Sequence, residues 1–547
     1  MTTTAAELFV RSLENEGVDR IFGIPGEENL FVMDALRNSR IEFFTVRHEQ
    51  AAAFMADVYG RLTGKAGVCL ATLGPGATNL VTGVADANLD RAPLVAIAGQ
   101  GATTRMHKES HQILKLVDLF EPISKYSAAI LDPAIIPELV RKAFKDAQAE
   151  KPGAAFISFP ENIAGETVDA DARPLKVQGP VAPEAPEEKV LQAARILDEA
   201  TFPMILAGNG VLRQRASAAL VAFAERLNIP VTTTFMAKGA IPFSHPLSLG
   251  TVGLQAHDYV ACGFDRADVV LCVGYDMVEY HPYLWHPEKE KQIIHVDLEY
   301  AEVDSHYILA AGVLGDISTS LGRIAAAARK THETQTTHLR SVIADELDRY
   351  AADESFPIKP QKILYDTRQV MGDEDILVSD VGAHKMWVAR LYPCERPNTC
   401  VISNGFASMG IGVPGAIAAA LAFPDRRVLA VTGDGGFMMN SQEIETALRY
   451  GVAMVVMIWR DSEYGLIKWH QERRFGHANH IGFTNPDFVR YAESFGARGF
   501  RVDRAQDLAA TLEEAFAANT VAVVDVGVDY SENMKLTEKL GHLVCPI

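Results

Sequence analysis

Short apolar runs alternate with stretches of helical length along most of the chain. Val68-Cys69-Leu70-Ala71-Thr72, Pro93-Leu94-Val95-Ala96-Ile97-Ala98, Val269-Val270-Leu271-Cys272-Val273, Val428-Leu429-Ala430-Val431 and Ala453-Met454-Val455-Val456-Met457-Ile458 are apolar or β-branched almost throughout. They are too short for typical helices and lack the polar alternation of a half-exposed strand, so they read as strands buried on both faces. Amphipathic segments between them complete βαβ units, and the class is α/β with parallel sheets. The rhythm breaks twice. Residues 173–189 carry Pro174, Pro180, Pro183 and Pro186, and residues 353–361 carry Pro357 and Pro360 after a charged helical stretch ending near Tyr350. Each missing N–H group is one fewer ladder bond, so both stretches read as linkers. Three blocks result: 1–172, 188–345 and 358–547.

Composition narrows the function classes. With 547 residues, 48% of them hydrophobic and 22% charged, the chain has the makeup of a globular protein with large cores. Lys and Arg total 51 against 70 Asp and Glu, a net charge of −19; no basic run of the needed length interrupts this surface, which repels nucleic-acid phosphates and anionic lipid. Cys69, Cys262, Cys272, Cys394, Cys400 and Cys545 include no C-x-x-C pair, so the common zinc-ribbon and thioredoxin signatures are absent. The first residues lack the basic and apolar regions of a signal peptide, and no apolar run reaches the roughly 18 residues that span a bilayer. The expected location is the cytoplasm.

The chemistry gathers in the third block. Val431-Thr432-Gly433-Asp434-Gly435-Gly436-Phe437 follows a predicted strand and precedes a predicted helix, for which Asn440 and Glu443 suggest a capping box and Ile444, Ala447 and Leu448 one apolar face. A glycine turn there lets backbone N–H groups approach an anion, and Asp434 at the strand's carboxyl end can hold a cation. The next strand ends in Arg460-Asp461-Ser462-Glu463-Tyr464-Gly465. Neighbouring parallel strands present their carboxyl ends on one edge, so Asp434 and Asp461 can flank one site, and two carboxylates with phosphate oxygens and water suit Mg²⁺.

These residues resemble the thiamine-diphosphate enzyme family, whose fingerprint is Gly-Asp-Gly followed after about 25 residues by the Asn or Asp that completes a Mg²⁺ shell. Here 25 residues, Gly436 to Arg460, separate Gly435 from Asp461. The resemblance implies three doubly wound parallel-sheet domains: pyrimidine-binding, central Rossmann-like and diphosphate-binding. It implies thiamine diphosphate and Mg²⁺ as cofactors, with the metal on Asp434, Asp461 and the main-chain carbonyl of Glu463, and with Gly433, Gly435, Gly436 and Tyr464 near the diphosphate. Arg47-His48-Glu49-Gln50 with its alanine-rich continuation resembles the family's catalytic segment. Standing alone, Glu49 is an ordinary helix-start residue; in the family this Glu hydrogen-bonds N1′ of the aminopyrimidine and helps it remove the thiazolium C2 proton. Such a carboxyl group must keep or share a proton, which burial favours. Gly74-Pro75-Gly76 with Asn79 is similar to the segment beside the pyrimidine. Asn404-Gly405-Phe406-Ala407-Ser408-Met409-Gly410 is similar to the segment whose large apolar residue, here Met409, supports the bent cofactor, with Ser408 beside it. Ser379-Asp380-Val381-Gly382-Ala383-His384 resembles another diphosphate loop, with Gly382 and His384 as candidates.

Within the family the likeness is closest to acetolactate synthases, particularly the catabolic type that works without FAD. It is carried by Arg47 to Gln50, His111-Gln112, Leu119 to Ser127, Gly274 to Tyr280 and Val528 to Asn533. Gln112 matches a glutamine near the reacting carbons, and Pro25 lies in a loop at the cofactor. The implied reaction is decarboxylation of a 2-oxo acid and addition of the resulting nucleophile to a second carbonyl, giving 2-acetolactate from two pyruvates. Two departures bear on the substrate: Glu27-Glu28 stands where a lysine is usual, an arrangement that repels a carboxylate unless Arg47 or His111 compensates, and Ala407 stands where a glutamine is common. A thiamine-dependent decarboxylase or carboligase of another 2-oxo acid is therefore the alternative. The Gly208-Asn209-Gly210 and Gly274-Tyr275-Asp276 turns raise a more distant one, an NAD- or FAD-dependent oxidoreductase, but no complete G-x-G-x-x-G opens a helix there; FAD is not expected. A non-catalytic binding or assembly protein fits poorly with Glu49, Asp434 and Asp461 all present. Because family members place the Glu and the diphosphate motif on opposite subunits, a homodimer or homotetramer acting on a small 2-oxo acid is expected, with neither nucleic-acid nor membrane partners.

Overall fold

The computed structural model describes residues 3–169, 171–179, 181–253, 262–333 and 336–533. Apart from a two-residue antiparallel pair, β1 (Thr3–Thr4) with β8 (Thr167–Val168), the strands form three six-stranded sheets in which every pairing is parallel. In the first third, β2 (Arg20–Gly23), β3 (Glu42–Thr45), β4 (Gly67–Ala71), β5 (Leu94–Gln100), β6 (Tyr126–Ala129) and β7 (Ala154–Pro160) lie in the order β3-β2-β4-β5-β7-β6. The middle third contributes β9 (Pro203–Ala207), β10 (Val231–Thr233), β11 (Ser248–Thr251), β12 (Val269–Val273), β13 (Gln292–Asp297) and β14 (Leu309–Leu314), ordered β11-β10-β9-β12-β13-β14. The last third holds β15 (Ile376–Ser379), β16 (Cys400–Ile402), β17 (Val428–Gly433), β18 (Met454–Arg460), β19 (Arg498–Val502) and β20 (Val521–Gly527), ordered β16-β15-β17-β18-β20-β19. This is the three-domain α/β architecture, and the apolar pattern picks out β4, β5, β12, β17 and β18 among its strands.

Those runs are apolar on both faces because helices cover both faces: β4, β5, β7, β12 and β20 are buried at every position. Two strands run past their apolar pattern. β17 continues through Thr432 to Gly433 and β18 through Trp459 to Arg460, since backbone pairing carries on to the Gly433–Trp459 register. The last proline of each proline stretch starts a helix. Pro186 caps the helix Glu187–Glu199 and Pro360 heads the helix Pro360–Val370, positions where the missing N–H costs nothing.

The chain condenses into two compact units: residues 1–180 with 405–424 and 440–452, and residues 181–404 with 425–439 and 453–547. In the first, the helix Gly412–Ala422 (GVPGAIAAALA), apolar on every side, packs on the alanine-rich helix Glu49–Thr63. The helix Pro75–Leu89 packs on the same helix, so closely at Gly83 that a Cβ there would stand 2.5 Å from the Ala53 Cβ. Gly83→Val therefore forces the two helices apart and is expected to cost about 2–3 kcal/mol, in the range of overpacking effects, read as a lower denaturant midpoint at unchanged slope. Among the described residues no helix is long and apolar enough to cross a membrane.

Candidate active site

In the first unit, Glu49 is the first residue of its helix. His48 caps that helix, its Nδ1 accepting from the Gln50 N–H at 3.1 Å. The Glu49 side chain is only 8% exposed, and its Oε2 accepts from Asn79 Nδ2 at 2.9 Å. Gly76 belongs to the same corner: a Cβ there would lie 3.3 Å from Glu49 Oε1 and 2.9 Å from Thr72 Cγ2. Gln112 is exposed in a loop at φ 58° and lies over Gly74, itself at φ 53°, where a Cβ would meet the Gln112 Cβ at 2.9 Å. Glu49, Gly76, Asn79 and the Gln112 backbone thus gather around the turn that follows β4. Pro25 is exposed in the loop after β2. Of the two acids behind it, Glu27 is exposed, whereas Glu28 is buried and its Oε2 accepts from the Thr72 hydroxyl at 3.0 Å. Glu28 is therefore engaged in holding the loop, and the charge facing solvent is that of Glu27.

The proposed capping box at Asn440 and Glu443 does not form. Asn440 ends the helix Asp434–Asn440, and its Nδ2 donates to the Gly410 carbonyl at 2.8 Å. Glu443, fully buried in the next helix, Glu443–Arg449, accepts instead from the Arg47 N–H at 3.1 and 3.2 Å, the His48 N–H at 3.1 Å and the Thr446 hydroxyl at 2.5 Å. Burial pushes its carboxyl above the usual range, against these hydrogen bonds. The local spacing suggests a cap because the long-range partner, the backbone just before Glu49, is invisible in sequence. Ser408 is buried and Met409 half-buried in the turn before the helix Gly412–Ala422, where Ala407 takes φ 58°.

In the second unit β17 and β18 are parallel neighbours, so Asp434 and Asp461 follow their ends on one edge of the sheet. Asp434 is 1% exposed. Its Oδ1 accepts from the Gly435 N–H at 3.0 Å, and its Oδ2 from the Ser462 N–H at 2.7 Å and Asn485 Nδ2 at 2.8 Å. Burial, above all, raises its carboxyl above the ordinary range. Asp461 is pushed up to about 7, by burial first and then by the charge of Asp434. The Glu463 side chain pairs with Lys468 at 2.6 Å. Its backbone faces Gly482 across a bridge whose two bonds, Tyr464 N–H to Ile481 O at 2.9 Å and Phe483 N–H to Ser462 O at 3.0 Å, leave the Glu463 carbonyl outside the pairing. Three of the glycines form a cradle. A Cβ on Gly435 would lie 3.0 Å from the half-exposed Tyr464 ring, one on Gly382 2.8 Å from His384 Cε1, and one on Gly433 3.3 Å from His384 Nδ1. Gly436 lies deeper, its Cβ position 3.0 Å from Asp380 Oδ1. His384 is 2% exposed, its Nε2 is buried without a hydrogen-bond partner, and burial lowers its pKa to about 3, so the ring is neutral.

The middle sheet's two glycine turns interlock. A Cβ on Gly208 would lie 2.4 Å from the Gly274 carbonyl oxygen, and one on Gly210 2.6 Å from the Gly274 Cα. The Asn209 N–H, placed where such turns offer donors to a dinucleotide pyrophosphate, donates instead to Glu279 Oε1 at 3.0 Å.

Three family profiles match in chain order: "Thiamine pyrophosphate enzyme, N-terminal TPP binding domain" over residues 3–119, the central domain over 190–324 and the "C-terminal TPP binding domain" over 380–526. The chain belongs to the thiamine pyrophosphate enzyme family. It is 36% identical to the "Acetolactate synthase" of Bacillus subtilis, covering 98% of this chain and 96% of that one. It is 35% identical to a "Probable acetolactate synthase large subunit" of Methanocaldococcus jannaschii, covering 98% and 94%, and 34% identical to an "Acetolactate synthase, catabolic" of Raoultella terrigena, covering 98% and 97%. For a thiamine pyrophosphate enzyme, sequence reasoning missed Asn485, whose only local signal is the Asn-Pro pair it forms with Pro486, and assigned Glu443 to the wrong partner.

Proposed function

We propose that this chain is an acetolactate synthase of the FAD-independent type, which joins two pyruvates into one 2-acetolactate and releases one CO₂. The observation that carries this reading is similarity to acetolactate synthases along nearly the whole chain. The donor set supports the cofactors. Two carboxylates on adjacent strand ends, one raised by the other's charge, together with the uncommitted Glu463 carbonyl, suit an octahedral Mg²⁺. The side-chain-free cradle of Gly433 and Gly435, with the unpartnered His384 Nε2 beside it, suits a diphosphate. When bound, thiamine diphosphate supplies the nucleophilic carbon and electron sink for decarboxylation. The protein's part is proton handling by Glu49, oriented by Asn79, with Gln112, Pro25, Gly76, Ser408 and Met409 lining the reacting end. In the second unit Gly382, Gly433, Gly435, Gly436 and Tyr464 line the diphosphate end. FAD independence is supported by Glu279, which takes the N–H that a dinucleotide would need.

Because Glu49 and the diphosphate loop belong to different compact units, and relatives join such halves across subunits, the reading includes at least a homodimer. The exposed Leu30 and Phe31 supply apolar surface for such a contact. The cytoplasm is the location this reading implies. Incubation with thiamine diphosphate, Mg²⁺ and a panel of 2-oxo acids, read as CO₂ release, should rank pyruvate first. Efficient release from another acid with none from pyruvate would instead support a carboligase or decarboxylase of different substrate, the reading that Ala407 and Glu27 favour.

A further inference from the structure

Behind the Ser408–Met409 turn lies an ion network that the reaction does not use. Arg61, on the helix Glu49–Thr63, donates from Nε to Asp57 Oδ1 at 2.6 Å. Its Nη2 donates to Asp57 Oδ2 at 3.1 Å, Asp86 Oδ2 at 2.9 Å and Asp90 Oδ2 at 2.6 Å. All three carboxylates are completely buried. Asp86 and Asp90, at the end of the helix Pro75–Leu89 and just past it, also reach the turn. Asp86 Oδ1 accepts from the Ser408 N–H at 3.2 Å, and Asp90 Oδ1 accepts from the Gly405 N–H. A Cβ on Gly405 would lie 2.6 Å from Asp90 Oδ1, and Ala407 between the two bonded amides takes φ 58°. An alanine in the left-handed region is held there by its surroundings, and here the surroundings are two carboxylates gripping the backbone on either side of it.

We propose that Asp86 and Asp90, fastened by Arg61, are positioning residues that set the Gly405–Met409 turn so that Met409 is presented to the cofactor, and that Asp86 does so with a proton shared toward Asp57. This rests on the reading of Met409 as a cofactor support. Three ionised carboxylates gathered on one guanidinium repel one another in a buried site, a costly arrangement. One retained proton eases that repulsion and supplies a donor between Asp86 and Asp57. Consistent with this, burial and then the charge of Asp57 push Asp86 up to about 7, while its hydrogen bond acts in the opposite direction on Asp57. Groups facing Asp86 include Asp57 and Arg61 from one helix, Asp90 from its own segment, and the backbone and hydroxyl of Ser408; Arg91 follows Asp90 in the chain. The helix Gly412–Ala422 and strand β5, packed against these helices, carry no ionisable side chain. Because Asp86 in the folded protein binds its proton more tightly than an unfolded Asp, whose value is 3.8, the stabilisation is fully present below that value and is lost as pH rises to about 7.

Hydrogen exchange of the cofactor-free protein, followed by mass spectrometry on the peptide covering 404–410, tests this without turnover. In the wild type, protection of this peptide, corrected for intrinsic rates, should fall between about pH 6 and about pH 8. Asp86→Asn keeps the acceptor for Ser408 and a donor for Asp57 but gives up the acceptor for Arg61 Nη2, so its protection should start below that of the wild type yet stay flat as pH rises, and its thiamine diphosphate Kd should not worsen with pH. Asp86→Ala should exchange there roughly tenfold faster, the loss expected when a buried N–H loses its acceptor. Wild-type protection of 404–410 in a folded Asp86→Ala protein, or a wild-type pH decline in Asp86→Asn, overturns the proposal; if the alanine variant does not fold, the asparagine comparison alone decides. A wild-type protein that binds no thiamine diphosphate would sink the cofactor reading while leaving the exchange result to stand by itself.

Discussion

Glu49→Gln should turn over at least about 10²-fold more slowly than the wild type, the low end of general acid–base effects, with its fold and melting temperature retained. Glutamine preserves the volume and can still accept the Asn79 hydrogen bond seen at 2.9 Å, so the cap at His48 and the corner around Gly76 remain as they are. What it cannot do is take up and return a proton. Exchange of the cofactor's C2 proton, followed by NMR, isolates that step from substrate binding, and near-normal exchange in the variant would remove Glu49 from its role.

Asp434→Ala and Asp461→Ala should each abolish the metal-dependent retention of thiamine diphosphate. Asp434 holds the Ser462 and Asn485 groups at 2.7 and 2.8 Å and its charge raises Asp461, so a cation between the strand ends would relieve both carboxylates. A ligand that binds only the native state stabilises it by about 2.7 kcal/mol at a hundredfold excess over Kd. That increment, read as a melting-temperature rise on adding cofactor with Mg²⁺, should be present in the wild type and missing in both variants. Unchanged retention in both would refute the metal site.

Much of this was legible along the chain, for identifiable reasons. Strands buried on both faces leave unbroken apolar runs, so β4, β12, β17 and β18 could be read directly. The edge shared by Asp434 and Asp461 followed from strand adjacency alone, a property of parallel sheets. Long-range backbone partnerships leave no such trace. Glu443 sits three residues after Asn440 and mimics a capping box, yet its carboxylate is used by the Arg47 and His48 N–H groups. Glu28 looks like misplaced charge until Thr72 is seen to donate to it. Asp57 and Arg61 are an ordinary i,i+4 pair on one helix, but nothing in the spacing announces Asp86 and Asp90, on a second helix and just past it, as further partners. Equally hidden was the assignment of 405–424 and 440–452 to the first compact unit, since the small apolar residues of Gly412–Ala422 match any buried surface.

The most direct measurement is the fate of pyruvate labelled with ¹³C at C2, incubated with the protein, thiamine diphosphate and Mg²⁺ and followed by NMR. If the chain joins two pyruvates, the carbonyl carbon of the donor and the C2 of the acceptor become directly bonded, and 2-acetolactate should show both signals split by one-bond carbon–carbon coupling. Labelled acetaldehyde with no coupled product would show decarboxylation without ligation, and pyruvate left intact would contradict the account altogether.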